Sequence, residues 1–441
     1  MSFLEKTKEK YCGKKILIVG LGLQGGGVGL AKFFAKLGAK VIVTDKKDEN
    51  QLKASIDQLK DYPITYHLGG HRLKDFLSVD YIFKGPSVPW SLPEIIEAQK
   101  KNIPIEMEMS FVVKNFPGIV IGITGTRGKS TTTNLIYTIL KKTGFNVLLG
   151  GGLPGISNIE YLKKADQSTY LVAELSSWAL SGFHRQKISP QISVFTSFYP
   201  DHLNYYKNMN DYFYDKAAIF LYQKQNDYLI ANKKLKTLIE KYSFKSKTIY
   251  FTSEDFPEKL KYLKGVHNLE NAAAALQVAK VLKIDLKKVI DIIVNFSGLA
   301  YRQEIIKEKD RVIFVNDTTS TTPVATIKAL EAFSDKPIYL IMGGNSKNLP
   351  FDELIEKLVS VEKIILLSGS FTDEILSLLK KKYPDKLVGP FDDLEKAVKT
   401  AFQLAKTTGG YLLFSPAATS FAMFNNEFHR GEEFNKIVNK I

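Results

Sequence analysis

Short apolar runs alternate with amphipathic segments along most of the chain. The runs are flanked by glycine and polar residues, and the stretch Gly26–Leu37 between the first two has the spacing of a helix. Strands that alternate with helices form parallel, doubly wound sheets, so the pattern predicts an α/β protein. The strands predicted in this way are Ile16–Val19, Val41–Thr44, Ile119–Ile123, Val312–Val315, Ile338–Met342, Ile364–Leu367 and Tyr411–Phe414.

The alternation falls into three blocks. With 441 residues the chain is long enough for about three domains of ordinary size. Proline and glycine interrupt the pattern at Asn115–Gly118 and again, with glycine alone, at Phe296–Leu299. We therefore predict an N-terminal domain over residues 1–116, a central domain over 117–298 and a C-terminal domain over 299–441.

The composition is that of a folded protein that is not held together by disulfides or zinc sites. Hydrophobic residues make up 44% of the chain and charged residues 24%, which excludes a disordered, collagen-like or coiled-coil chain. Cys12 is the only cysteine, so neither an intrachain disulfide nor a cysteine-rich zinc site can form. The first 13 residues are polar, and no apolar run approaches the roughly 18 residues of a membrane span. We expect a cytoplasmic protein without a membrane partner.

The net charge of +15 leaves two readings open, a nucleic-acid partner or a small anionic substrate. The lysines are scattered over segments such as Lys233–Lys247 and Lys380–Lys382, and no arginine-rich arm accompanies them. This distribution favours solvated lysine faces, and we expect no nucleic-acid partner.

A first glycine turn, Gly20-Leu-Gly22-Leu-Gln-Gly25, follows a predicted strand and opens a predicted helix. Asp45 ends the next strand, which is the place of the carboxylate in a Rossmann-like nucleotide fingerprint. Taken alone, this turn would favour an NAD-dependent dehydrogenase, but proteins that bind nucleotide sugars use the same turn.

A second glycine turn lies in Ile119-Val-Ile-Gly-Ile-Thr-Gly-Thr-Arg-Gly-Lys-Ser-Thr131 and predicts a P-loop ATPase-like central domain. Its backbone N–H groups can bind a triphosphate, Lys129 can reach the β- and γ-phosphates, and the Ser130 hydroxyl can hold Mg²⁺. The strict motif has glycine where this chain has Ile123, so the loop is a variant. The candidate ATP-binding residues are Gly125, Thr126, Arg127, Gly128, Lys129, Ser130 and Thr131.

Two further candidates follow predicted strands of the same block. Glu174 lies where a strand ends, in a position to bind a metal beside Ser130, and His202 follows the next strand after Asp201. Lys216 lies in an ordinary helical pattern, and its surroundings in the sequence give it no special role.

Taken in order, these motifs resemble those of the Mur ligases. The resemblance covers nearly the whole chain and rests on Thr124–Thr131, Glu174–Ser177, Asp201-His202, Lys216, His267–Asn271, Arg302, Asn316-Asp317 and Phe414–Ser420 with Arg430-Gly431. It implies three domains, a Rossmann-like one for a UDP substrate, a central one for ATP and a Rossmann-like C-terminal one for an amino acid. The segment Ser415–Ser420 is similar to that of members that add D-glutamate.

The resemblance also implies roles for residues at matching positions. Lys129, His202, Lys216 and Arg302 would be catalytic, and Lys216 would be carbamylated and hold a second Mg²⁺ with His202, beside the first on Ser130 and Glu174. Asn271, Arg302 and Asp317 would contact ATP, and Thr321, Lys347 and Ser420 would hold D-glutamate. The UDP substrate would contact Gly22, Leu23, Gln24, Gly25, Asp45, Lys46, Gly85, Pro86, Gly152 and His202.

The reaction implied is ATP-dependent addition of D-glutamate to UDP-N-acetylmuramoyl-L-alanine through an acyl phosphate, in peptidoglycan precursor synthesis. Three positions depart from the family pattern. Thr319 stands where a lysine is common, and Gly152 stands where an asparagine often contacts the substrate. The phenylalanine that commonly lies over the glutamate is shifted along the chain, and Glu427-Phe428 stands in its place. A related ligase with another amino-acid specificity therefore remains an alternative. A dehydrogenase would leave the Lys129 loop and Glu174 without a role. We expect a monomer with small-molecule substrates.

Overall fold

Three β-sheets follow one another along the residues that this computed structural model describes, which are 3–23, 25–152, 157–202, 205–420 and 423–441. The chain divides into two compact units. The first unit comprises Met1–Pro257 and Leu269–Ile292, and the second comprises Glu258–Asn268 and Ile293–Ile441. The first two sheets belong to the first unit and the third sheet belongs to the second.

The first sheet is parallel throughout, with the strand order β3-β2-β1-β4-β5. The order reverses between β1 and β4, and ligands of such sheets bind outside the carboxyl ends of the strands at this point. The strands are β1 Lys15–Val19, β2 Lys40–Asp45, β3 Ile64–Leu68, β4 Tyr81–Lys84 and β5 Ile105–Glu106. The helices are α1 Phe3–Tyr11, α2 Gly26–Lys36, α3 Glu49–Ile56, α4 Leu73–Leu77, α5 Pro93–Lys100 and α6 Glu108–Asn115.

The second sheet is also parallel, with the order β11-β10-β9-β6-β8-β7. The strands are β6 Ile119–Thr124, β7 Val147–Gly151, β8 Tyr170–Glu174, β9 Ile192–Phe195, β10 Tyr228–Asn232 and β11 Lys247–Phe251. The helices of this part of the chain are α7 Lys129–Lys142, α8 Ser177–Gln186, α9 Met209–Leu221, α10 Lys236–Ile239, α11 Val266–Val281 and α12 Leu286–Val294.

The third sheet has the order β12-β13-β17-β14-β15-β16, with β12 antiparallel at one edge. The strands are β12 Glu304–Lys309, β13 Val312–Asn316, β14 Ile338–Gly343, β15 Lys363–Leu367, β16 Leu387–Phe391 and β17 Gly410–Phe414. The helices are α13 Pro323–Ala332, α14 Asp352–Lys357, α15 Ser370–Lys382, α16 Leu394–Thr408 and α17 Glu427–Lys440.

The predicted strands are confirmed, each within one residue at either end. The central strands are almost wholly buried because helices cover both faces of each sheet, and this produces the continuous apolar runs of the sequence. The edge strands β12 and β16 have no such run. Their side chains are half-buried or exposed, so hydrophobic periodicity did not indicate them.

No helix within the described ranges is long and apolar enough to cross a membrane.

Candidate active site

The first glycine turn lies at the carboxyl edge of the first sheet, between β1 and α2. Gly20, Gly22 and Gly25 all have positive φ angles, between 60° and 93°, which glycine adopts without strain. The Asp45 carboxylate accepts hydrogen bonds from Gly22 N at 3.2 Å and from Lys47 N at 3.0 Å. Asp45 therefore supports the turn itself, and its predicted contact with a nucleotide remains a prediction.

Three adjacent strands bring most of the predicted UDP-binding residues to this edge. Gly85 follows β4, and its amide donates to Val19 O at 2.8 Å, so the Gly85-Pro86 turn lies against the glycine turn. Leu23, Lys46 and Pro86 are exposed. Gln24 lies outside the described residues, and Gly152 follows β7 of the second sheet.

The second glycine turn is held by the segment that follows β9. Thr126 N donates to Ser197 O at 2.9 Å, and Arg127 N donates to Ser197 Oγ at 2.9 Å. A Cβ at Gly125 would lie 2.0 Å from Thr196 Oγ1, and one at Gly128 would lie 2.4 Å from Asn271 Oδ1. Glycine is needed at both positions because neighbouring groups fill the space that a side chain would take.

The N-terminus of α7 carries the predicted phosphate-binding residues. Lys129, Ser130 and Thr131 occupy its first turn, where backbone N–H groups lack partners within the helix. Lys129 Nζ donates to Gly125 O at 3.1 Å and to Thr126 O at 3.2 Å. Asn271, predicted to contact ATP, lies beside this loop and accepts a hydrogen bond from Thr132 Oγ1 at 3.2 Å.

Lys216 comes from α9 and reaches the same loop. Its side chain is 1% exposed, and its Nζ donates to Gly125 O at 2.9 Å, the carbonyl that Lys129 also uses. Burial and the nearby Lys129 charge lower the pKa of Lys216 well below its usual range, against the opposing effects of Asp201 and Glu174. This environment favours the neutral amine.

Glu174 and His202 approach Lys216 from strand ends on either side of β6. Burial lowers the pKa of His202, which favours the neutral imidazole that can bind a metal. His202 has a φ of 54°, and the centre of its ring lies 4.8 Å from that of Trp178. Within the described residues, no group of three or more His, Cys, Asp or Glu side chains is arranged to hold a metal ion.

The carboxyl edge of the third sheet brings together the residues predicted for the amino acid. Thr321, Ser420 and Lys347 follow the adjacent strands β13, β17 and β14, respectively. Lys347 Nζ donates to Thr321 Oγ1 at 2.8 Å. Ser420 Oγ is buried and has no hydrogen-bond partner among the described residues. Thr319, at the position of a lysine common in the resembled family, donates its hydroxyl to Tyr301 O at 2.8 Å.

Arg302 and Asp317 lie close together in the second unit. Asp317 Oδ1 accepts from Gln303 N at 3.1 Å, and Asp317 Oδ2 accepts from Ser415 Oγ at 2.7 Å. Asp317 is buried while Arg302 is exposed. The protein thus already engages both carboxylate oxygens of Asp317, and its assignment to ATP remains a prediction.

Comparison with known proteins identifies the family. Three family models match in succession, the N-terminal domain of MurD-like Mur ligases over residues 14–106, the Mur ligase middle domain over 123–262, and the glutamate ligase domain of Mur ligases over 301–418. The UDP-N-acetylmuramoylalanine–D-glutamate ligase of Roseiflexus sp. (strain RS-1) is 35% identical, over 97% of this chain and 99% of that protein. The enzyme of the same name from Borreliella afzelii (strain PKo) is 36% identical, over 96% and 97%. The chain belongs to the Mur ligase family.

The fold of a solved Mur ligase agrees with this assignment. The UDP-N-acetylmuramate–alanine ligase of Thermotoga maritima matches with a TM-score of 0.59 at 20% identity, over 97% of this chain and 99% of that one. The predicted α/β fold with three Mur ligase domains is therefore confirmed, and the protein is an ATP-dependent ligase that forms amide bonds. The exact domain boundaries remain predictions.

Sequence reasoning overlooked Lys84, a buried lysine in this Mur ligase. Its side chain is 1% exposed, and its Nζ donates to Val88 O at 2.8 Å and lies 4.3 Å from the centre of the Trp90 ring. Burial lowers the pKa of Lys84 to about 7. The sequence did hold a signal for Lys84, because it ends an apolar strand directly before Gly85-Pro86. A lysine is rarely buried at the end of such a strand unless it has a partner or a function.

We expect Asp317→Asn to stabilise the protein at neutral pH. Burial raises the pKa of Asp317 from 3.8 to about 6, so the folded state retains a proton that the unfolded state releases between these values. Stability is therefore lost as the pH rises from about 4 to 6, by up to about 3 kcal/mol. Asparagine cannot ionise and still accepts from Gln303 N.

Calorimetry at pH 5 and pH 7.5 tests this expectation. The melting temperature of Asp317→Asn should exceed that of the wild type at pH 7.5, and the difference should shrink at pH 5. The exposed Asp392→Asn serves as the control and should change neither value. A difference that is the same at both pH values would show that ionisation of Asp317 is not its cause.

Proposed function

We propose that this Mur ligase joins D-glutamate to UDP-N-acetylmuramoyl-L-alanine, with cleavage of ATP to ADP and phosphate, in peptidoglycan precursor synthesis. The observation that carries the proposal is the match over nearly the whole chain to enzymes named for this reaction. The grouping of Thr321, Lys347 and Ser420 at one sheet edge supports an amino-acid site in the second unit.

The proposed reaction begins with transfer of the γ-phosphoryl group of ATP to the substrate carboxylate. A carboxylate and an ammonium ion do not form an amide readily in water, whereas an acyl phosphate reacts with an amine and releases phosphate. Phosphoryl transfer depends mainly on positioning and on neutralising negative charge. In the first unit, Lys129 and the N–H groups at the start of α7 would position the phosphates and neutralise their charge. Arg302 is assigned a contact with ATP by resemblance.

Two Mg²⁺ sites form part of the proposal. When bound, Mg²⁺ neutralises charge on the transferred group and polarises it. The Ser130 hydroxyl and the Glu174 carboxylate fit one ion. His202 fits a second ion only if a further anionic ligand is present, because an unmodified Lys216 contributes no negative charge, either as an ammonium ion or as a neutral amine.

A carbamate on Lys216 would supply that ligand. Addition of CO₂ to the neutral amine forms an N–C bond and releases one N–H proton to solvent, which gives an anionic carbamate, and the burial of Lys216 beside Lys129 favours the neutral amine that reacts. The neighbouring Lys129 charge would then attract the carbamate instead of opposing an ammonium ion.

Phosphate release from ATP tests the proposed reaction. Purified protein would be given UDP-N-acetylmuramoyl-L-alanine and, in turn, D-glutamate, L-glutamate and other amino acids. Release only with D-glutamate is the expected result. Release with another amino acid would retain the ligase chemistry but assign another specificity, and no release across the panel would overturn the proposal.

We expect Gly152→Asn to strengthen binding of the UDP substrate. Within the described residues, a Cβ at Gly152 would have nothing within 4 Å, so an asparagine can be accommodated there. One added hydrogen bond should lower KM for the UDP substrate about threefold to tenfold, with little change in kcat. The matched control is Gly151→Asn, whose Cβ would lie 2.0 Å from Glu174 O, and it should lose activity. An unchanged KM in Gly152→Asn would contradict a substrate contact at this segment.

A further inference from the structure

Helix α2 carries two glycines that the first glycine turn does not explain. A Cβ at Gly26 would lie 3.0 Å from Glu108 Oε2, and a Cβ at Gly29 would lie 1.7 Å from Ser157 Oγ. Glycine at these positions lets the helix backbone approach the half-buried carboxylate of Glu108 and the segment 157–159 closely. The contact joins the two sheets of the first unit.

Glu108, the first residue of α6, holds that segment. Its Oε1 accepts hydrogen bonds from Ser157 Oγ at 3.1 Å and from Ile159 N at 3.2 Å, and its Oε2 accepts a longer one from Asn158 Nδ2 at 3.5 Å. Burial raises the pKa of Glu108, which these hydrogen bonds oppose. The carboxyl group thus has three donors, all from consecutive residues of one segment.

Asn158 extends the connection to the end of β7. Its Oδ1 accepts from Gly151 N at 2.7 Å, and its Nδ2 donates to Gly151 O at 3.1 Å. Gly151 is the register partner of Glu174 on β8, and Gly152 N donates to Glu174 O at 3.1 Å. A continuous series of contacts therefore runs from α2 through Glu108 and Asn158 to Gly152.

We propose that Glu108 is a positioning residue that fixes the first turn of α2 relative to the Gly150–Gly152 segment, so that one UDP-linked substrate can bind both. This inference rests on the proposed function and on the expected contacts of the UDP substrate with the first glycine turn, at the start of α2, and with Gly152. UDP alone contacts only the α2 side, whereas UDP-N-acetylmuramoyl-L-alanine spans both. Loss of Glu108 should therefore weaken the longer ligand more than the shorter one.

Variants of Glu108 test this with UDP and UDP-N-acetylmuramoyl-L-alanine as separate ligands in calorimetric titrations. Removing all three acceptor contacts in Glu108→Ala should raise Kd for the full substrate about 10-fold or more, but Kd for UDP less than about threefold. KM for ATP and D-glutamate should stay within about twofold. Glu108→Gln keeps an oxygen for Ser157 and Ile159 and should recover most of the affinity.

Glu106→Ala is the matched control. Glu106 is also a half-buried carboxyl group whose pKa is raised by partial burial, but its Oε1 lies 3.9 Å from Lys114 Nζ, and it takes no part in the hydrogen bonds described above. The variant Glu106→Ala should leave the ratio of Kd for UDP-N-acetylmuramoyl-L-alanine to Kd for UDP unchanged. Asn158→Ala, which keeps Glu108 and cuts the link to Gly151, should reproduce the effect of Glu108→Ala and serves in its place if that variant does not fold.

The outcomes separate the inference from the proposed function. Equal losses for UDP and the full substrate in both Glu108→Ala and Asn158→Ala, or no loss for either ligand, would overturn the positioning role. Failure of the wild type to bind UDP-N-acetylmuramoyl-L-alanine would instead overturn the proposed function.

Discussion

Replacing Lys129 by methionine is expected to lower kcat for phosphate release by about 10²–10³-fold, the usual cost of one donor to developing charge. The Lys129 ammonium lies at the mouth of the 125–128 loop, bonded to two carbonyls of the loop itself. Phosphate oxygens are stronger acceptors for an ammonium ion than carbonyls are, so bound ATP should draw Nζ away from them. Methionine has a similar length and no charge, and therefore removes the cation with little change in volume.

Steady-state assays of phosphate release, with melting temperature as a check on folding, measure this effect. Lys142→Met, at the exposed opposite end of α7, is the matched control and should keep wild-type activity. Binding of the UDP substrate should be retained in both variants because the first glycine turn belongs to another sheet. Activity above about a tenth of the wild type in Lys129→Met would contradict a role at the transferred phosphoryl group.

Loss of the Lys216 side chain is expected to lower activity by a similar factor, about 10²–10³-fold, if a carbamate supplies a ligand and a negative charge. Lys216→Ala leaves a buried space beside Gly125 O and Thr124 Oγ1. Acetate can occupy such a space and supply a carboxylate, whereas methylammonium supplies no carboxylate. Acetate should therefore restore part of the activity of Lys216→Ala, and methylammonium should not.

Carbon-13 NMR of the wild type with labelled bicarbonate gives an independent readout. A carbamate resonance should appear in the wild type and be absent from Lys216→Ala. Rescue by methylammonium in place of acetate, together with the absence of that resonance, would show that an amino group without a carboxylate is sufficient and would refute the carbamate.

The extent to which the sequence predicted the site depended on where each residue lies in its element. Ser130, Glu174 and His202 follow or end buried strands of one parallel sheet, so their arrival at a common edge could be expected from the apolar runs alone. The same holds for Thr321, Lys347 and Ser420, although there only resemblance supplied the roles. Apolar runs and glycine turns are local features of the sequence, and such features predict strands and turns reliably.

Residues that act from helices or loops gave no such signal. Lys216 reads as an ordinary helical lysine, and only the packing of α9 against the sheet brings its Nζ to Gly125 O. Glu108 starts a short α-helix and Asn158 starts the 3₁₀ helix Asn158–Lys163, so their hydrogen bonds depend on how α2, α6 and β7 pack together. The edge strand β12 was overlooked for a related reason, since an edge strand needs no continuous apolar run.

The sequence by itself determined the α/β class, the central strands, both glycine turns and, through the ordered motifs, the Mur ligase family. These follow from interactions between near neighbours in the chain, such as the turn at Gly20–Gly25 and the burial of each apolar run. Tertiary structure alone decided the strand orders, the burial of Lys84 and Lys216, and the link from α2 through Glu108 to Gly152. These depend on which distant segments pack together, because burial and hydrogen-bond partners are set by the final packing and not by the order of residues along the chain.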